Sequence, residues 1–281
     1  MDIIRQHREA CWADQAKKAA KKQKAQQDQA VDTGGSGDDV GDDISVSAGS
    51  DYQTWWAACK QDVERLKALP DHDDRDALKI DLVEKYTPYV DGWLASDDQG
   101  QNDVIAYNVI WAADAGELGT AIVLADACID RGVKFQMMKR DPQTFVADMV
   151  FRHEESVHKE NPNISVSQEF TRVREYFEAG DWEINTVLQS RYYKLMGNSD
   201  LEDSKDEHTR FAIALKQSAY DNFVRANDLN GGRGGIGVQT LMEKLGKEIE
   251  AEKAEAKAEA EKAEPEDKTK DSKASDKSNA K

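Results

Sequence analysis

The chain has 281 residues, 39% of them hydrophobic and 33% charged, with a formal net charge of −17, and a mean hydropathy of −0.78. That is room for one good core plus solvated ends. It holds no apolar run near the ~20 residues of a membrane span and no secretory h-region at its start. Cys11, Cys59 and Cys128 are scattered, odd in number and form no C-x-x-C pair, which argues against a disulfide framework or structural zinc, and 55 acids against 38 bases repel a polyanion except at a local basic patch.

Residues 1–30 form a basic arm. Lys17, Lys18, Lys21, Lys22 and Lys24 lie on an Ala- and Gln-rich, helix-favouring background, with Lys17/Lys21 and Lys18/Lys22 on one side of such a helix. Residues 31–51 combine Gly, Ser and Asp and read as an acidic, flexible linker. Residues 52–230 hold every aromatic residue except Trp12 and read as the core.

The core opens with a carboxylate cluster, Asp71, Asp73, Asp74 and Asp76. Such a group can hold a divalent cation in a two-metal nuclease, yet it lacks an EF-hand's glycine and closing glutamate. Capping of the following helix explains it more simply. Asp97, Asp98 and Asp103 form a similar group. Thr87-Pro88 is expected to break or kink the helix that begins near Leu78. Residues 102–115 and 118–131 read as two helices joined at Gly116 by a turn short enough to make them antiparallel neighbours. Ala112, Ala113, Ala121 and Ala125 permit close approach, as in tetratricopeptide hairpins, though the 34-residue repeat is absent. Ala121, Leu124, Ala125, Cys128 and Ile129 follow the spacing of a one-sided apolar stripe, and Cys128 is expected to be a buried thiol.

Asp141-Pro142 reads as an N-cap followed by proline at the first helical position. The stretch HEESVH places His153 and His158 five apart, roughly 140° from one another around a helix, so they read as exposed polar residues and not as zinc ligands. Residues 165–168 fit a capping box, and Gly180 suits a helix stop. Residues 211–229 read as a second helical hairpin unit. The glycine-rich segment 231–237 lacks what a P-loop needs and reads as a mobile hinge, in which Arg233 could meet a phosphate. Residues 238–281 begin as a helix on Val238, Leu241, Met242, Leu245 and Ile249, then fray into a charged tail; residues 265–268 echo a nuclease motif only in low-complexity sequence. The aromatics Tyr52, Trp55, Trp56, Tyr86, Tyr89, Trp93, Tyr107 and Trp111 read as core or subunit contacts before base-stacking groups.

Several of these residues stand in a specific order: Tyr52, then Tyr86-x-Pro88-Tyr89-Val90-x-Gly92-Trp93-Leu94, Gln101-Asn102-Asp103 and Trp111-x-x-Asp114-x-Gly116-Glu117. Ala121-Ile122-x-Leu124-Ala125, Gly132-Val133, Arg140-x-Pro142 and Phe145 complete it. This series resembles the small terminase subunit family of temperate tailed phages over about residues 52–155, with a weaker echo over 191–249. The resemblance implies binding of viral double-stranded DNA at the packaging (cos) site, assembly as a homo-oligomer, and a large ATPase subunit as partner in the host bacterial cytoplasm. It also implies an endonuclease description, although the sequence presents no convincing nuclease centre. Relatives tend to carry a strongly basic C-terminal tail; here its sign is mixed, so the expected DNA contacts move to Arg5, Arg8, Lys17, Lys18, Lys21, Lys22 and Lys24. The fold expected is all-α, built of antiparallel, tetratricopeptide-like hairpins with disordered charged termini. No cofactor is expected, or Mg²⁺ if the chain is itself a metal-dependent endonuclease cutting cos. A third reading is a protein-binding scaffold that never meets DNA.

Overall fold

A computed structural model describes residues 48–205, 209–232 and 236–263. Arg5, Arg8 and the lysines of the basic arm, the linker to position 47, Arg233 and the tail from position 264 lie outside them. The fold is all-α. Among the described residues there are helices and no strand.

Two compact units divide between Lys67 and Ala68. The first contributes one described helix, α1 (Ala48–Ala68). Asp51 stands in its first turn and Arg65 and Lys67 in its last, as the helix dipole favours. Cys59 and Asp62 are buried, and Lys60 lies over the Trp56 ring at 5.5 Å.

In the second unit, α2 spans His72–Ala95, α3 Asp103–Asp114, α4 Leu118–Arg131 and α5 Pro142–Glu160. They are followed by α6 (Gln168–Ala179), α7 (Thr186–Asp203), α8 (Thr209–Leu229) and α9 (Gln239–Ala263). Packing follows chain order: α3 lies against α2 and α4, α4 against α5, α7 against α8, and α8 against α9. One core gathers Val90 and Trp93 of α2, the inner faces of α3 to α7, and Ala226 of α8. A smaller one joins Ala219 and Phe223 of α8 to Val238, Leu245 and Ile249. The stripe expected on α4 is buried at Ala121, Leu124, Ala125 and Cys128.

Helix ends follow local chemistry. Asn102 caps α3 by accepting from Ile105 N, and Asp141 caps α5 by accepting from Thr144 N, ahead of Pro142. Gly116 turns the chain between α3 and α4 at φ +81°, where a side chain would be strained.

Three expectations change. Of the break or kink expected at Thr87-Pro88, the break does not occur: α2 runs from His72 to Ala95 through it. Proline removes an N–H and crowds the carbonyl four residues back. Here Glu84 and Pro88 both face solvent, where that carbonyl can turn to water. Buried Val90 and Trp93 hold the following turn. The cap of α6 is Ser167, not Ser165, because Ser167 Oγ is the oxygen that reaches Phe170 N. Residues 211–229 are one helix and not a hairpin; most of that stretch packs on α7 and α9.

Candidate functional site

Helices α5 and α7 meet where Tyr192 donates its hydroxyl proton to Ala147 O at 2.8 Å. Around this contact the two helices gather a cluster of charged side chains. Asp148, on α5, is 13% exposed and accepts from two guanidinium groups at the same oxygen, Oδ2: Arg140 Nη1 at 3.0 Å and Arg152 Nη2 at 3.0 Å. Arg191, from α7, brings Nη1 to 3.9 Å of the other oxygen. Its guanidinium lies 4.2 Å from the centre of the Phe151 ring, which fixes the plane of the fork. The same group stands 3.9 Å from Glu155, already paired with Lys159 at 3.1 Å.

Farther along both helices, the side chains enclose a cleft of about 540 Å³. Phe151, Leu195 and Ile236 supply apolar wall; His158, Arg191 and Lys194 supply nitrogen. Lys194 Nζ is held by the Ile236 carbonyl at 2.7 Å. His158 Nδ1 sits 3.1 Å from Glu154 O, while its Nε2 is buried without a hydrogen-bond partner.

Beneath the cleft lies Glu154, buried and accepting from Ser167 N at 2.9 Å and from the Ser167 hydroxyl. Because Ser167 caps α6, this carboxylate pins the start of α6 onto α5. Reading HEESVH for its histidines therefore missed its middle. Glu154 is the structural residue; His153 is exposed, and His158 is 12% exposed instead of open to solvent. Burial, with Glu154 and Asp148 nearby, drives the Tyr192 hydroxyl well above its usual range.

The carboxylates singled out in the sequence do other work. Asp71 caps α2, accepting from Asp73 N at 2.9 Å. Asp76 pairs with Lys79, which also binds Asp114 at 2.9 Å and so ties α2 to the end of α3. Asp73 and Asp74 stand exposed in the first turn of α2. Asp103 accepts from Gln101, and Asp98 N donates to Ser96 Oγ. Among the described residues no group of three or more His, Cys, Asp or Glu stands where it could hold a metal ion. Tyr86, Trp93 and Trp111 are buried and not free to stack on a base.

The residues that carry the family resemblance prove to be architectural. Gln101 exchanges two hydrogen bonds with Lys134, donating to its carbonyl at 2.8 Å and accepting from its N–H at 3.0 Å. Trp93 lies under the Arg131 guanidinium at 4.2 Å, and Arg131 donates to the carbonyls of Trp93 and Leu94 that end α2.

Residues 56–184 match the model of the phage small terminase subunit family. They belong to that family. Among curated proteins, a probable terminase, endonuclease subunit, of Haemophilus phage HP1 (strain HP1c1) is 25% identical over 154 residues. The alignment covers 52% of this chain and 52% of that relative, so it spans about half the length of each. No solved structure matches. The terminase-family region takes in α2 to α6 and ends just before α7, so Arg140, Asp148 and Arg152 lie inside it while Arg191 and the small α8–α9 core lie beyond.

Proposed function

We propose that this chain is a small terminase subunit: it binds viral double-stranded DNA at the packaging (cos) site and directs cutting and packaging by a large ATPase subunit. It works as a homo-oligomer in the host bacterial cytoplasm. The family match over residues 56–184 carries this reading. With a net charge of −17, phosphate contact must be local. The basic arm, with Arg5, Arg8, Lys17, Lys18, Lys21, Lys22 and Lys24, supplies the densest run of cations for it.

The test is DNA binding by the full chain across salt. Affinity should fall steeply between about 50 and 200 mM salt, with a log–log slope of about −0.9 per phosphate neutralised. Changing Lys17, Lys18, Lys21 and Lys22 to Gln should flatten that slope by about 3.6 where each meets one phosphate. An affinity indifferent to salt and to these changes would remove the DNA reading and leave a protein-binding scaffold.

A second reading is favoured by the name of the Haemophilus phage HP1 relative, an endonuclease subunit. In it this chain cuts cos itself with Mg²⁺. Asp71 and Asp76 are engaged in a cap and an ion pair, which leaves Asp73 and Asp74 as the free carboxylates of that group. Incubating the purified chain with Mg²⁺ and cos DNA separates the two. Cutting by the chain alone supports the second reading; cutting only after the large subunit is added supports the first.

A further inference from the structure

We infer that Arg140, Arg152 and Arg191, gathered on Asp148, form a second contact for the DNA backbone, on the helical core and separate from the basic arm. This rests on the DNA-binding reading above and adds a site to it.

Charge comes first. Three guanidinium groups share one carboxylate. Adding the next acid, Glu155, also adds its partner Lys159, so the local excess of two positive charges persists. Lys194, its ammonium held by a neutral carbonyl, offsets the buried Glu154 carboxylate, so the excess stays at two. In a chain of net charge −17 this is a concentrated patch of opposite sign.

Donor capacity points the same way. Each guanidinium carries five N–H donors, and one carboxylate offers about four lone-pair sites. Arg140 and Arg152 are 54% and 62% exposed, so their unused donors face solvent. A planar fork with spare parallel N–H groups suits phosphate oxygens, which it can bind in pairs.

Tying α5 to α7 does not account for the cluster. Tyr192 already joins the two helices through Ala147 O, and of the three arginines only Arg191 adds to that link, through Asp148, Glu155 and the face of Phe151. Arg140 and Arg152 add nothing to that link, yet both converge on Asp148 Oδ2. Holding like charges together has an electrostatic cost that an arriving phosphate removes. The fixed Asp148 and Phe151 leave less side-chain freedom to lose on binding.

The experiment follows a labelled duplex of about 30 base pairs by fluorescence anisotropy, with the full chain, over the same range of salt. The double variant Arg140→Gln/Arg152→Gln leaves α7 and the Phe151 contact untouched. It should lose affinity about tenfold or more at low salt, and its salt slope should flatten by roughly two. Lys244→Gln/Lys257→Gln, on exposed positions of α9, makes the same change in net charge and should leave both quantities as in the unaltered chain. Arg140→Lys/Arg152→Lys should keep the slope and recover part of the affinity. The arginine loss should remain measurable after the basic arm is neutralised.

An Arg140→Gln/Arg152→Gln variant that matches the lysine control in affinity and slope overturns this site while leaving the basic arm and the DNA-binding reading intact. Unchanged DNA binding with weakened capture of the large subunit does the same, and reassigns the cluster to an acidic protein surface. An unaltered chain that binds no DNA at any salt removes both proposals.

Discussion

Cys128 sits on the buried face of α4, where burial pushes its thiol up to about 12 while the nearby Arg131 pulls the other way. The neutral thiol suits the core and the thiolate does not. Stability is therefore complete below the unfolded thiol's value of 9.0 and is lost as pH climbs from there towards 12. Tyr193 adds to the loss from its ordinary 10.0 upward: burial, together with the proton it donates to Glu178 at 2.7 Å, raises its hydroxyl to about 12. Urea midpoints measured from pH 8 to pH 11 should thus fall first near pH 9. Cys128→Ala should lower the starting stability but make the early part of that fall shallower. An identical alkaline profile in the variant would assign the loss to other groups. The thiol's burial was legible from one local pattern, the apolar spacing of 121–129. Glu154 was not. Nothing within a helical turn of it announces that its partner is Ser167, thirteen residues on.

Among the elements, α7 and α8 make the closest helix pair, and one glycine sets their distance. A Cβ built on Gly197 would lie 2.5 Å from Cε1 and 2.7 Å from Cδ1 of Phe223, a ring with no exposure. Asp200 adds a polar tie, accepting from Ser218 at 2.7 Å and Asn222 at 2.9 Å of α8. Gly197→Ala should gain helix propensity but force the helices apart or the ring out of place, a net loss of about 1–3 kcal/mol. Urea unfolding reads this directly; a variant as stable as the parent would mean that the ring gives way freely. The sequence of 211–229 read as a second hairpin unit. The long partner α7 decides otherwise, offering a continuous surface for one helix. Pro88 shows the same override: a local breaking signal yields to the burial of Val90 and Trp93 in the next turn.

In the whole molecule, the last core side chain among the described residues of α9 is Ile249, and the last described ties to α8 are Lys216–Glu252 and Lys253 to Gln217. The residues that follow alternate Glu, Ala and Lys without an apolar face. Ending the chain after Ala254 should leave thermal stability within about 0.5 kcal/mol of the full chain. Ending it after Val238 should uncover Phe223 and Ala219 and destabilise α8 strongly. Circular dichroism melts of the two truncations distinguish them, and equal loss in both would give the outer half of α9 a structural role.

Helix class, the capping residue Asp141, the glycine turn at 116 and the inward face of α4 follow from the sequence alone. Each depends on residues within about a turn of one another, where spacing is geometry. The clamp of Glu154 on Ser167, the hold of Arg131 on the last carbonyls of α2, and the gathering of Arg140, Arg152 and Arg191 on Asp148 were decided by the tertiary structure. Their partners stand as far as 43 positions apart in the chain. Apart from Arg152, which stands one helical turn from Asp148, no period joins them, and a charged side chain in a surface-like stretch looks the same whether it ends in water or against another helix.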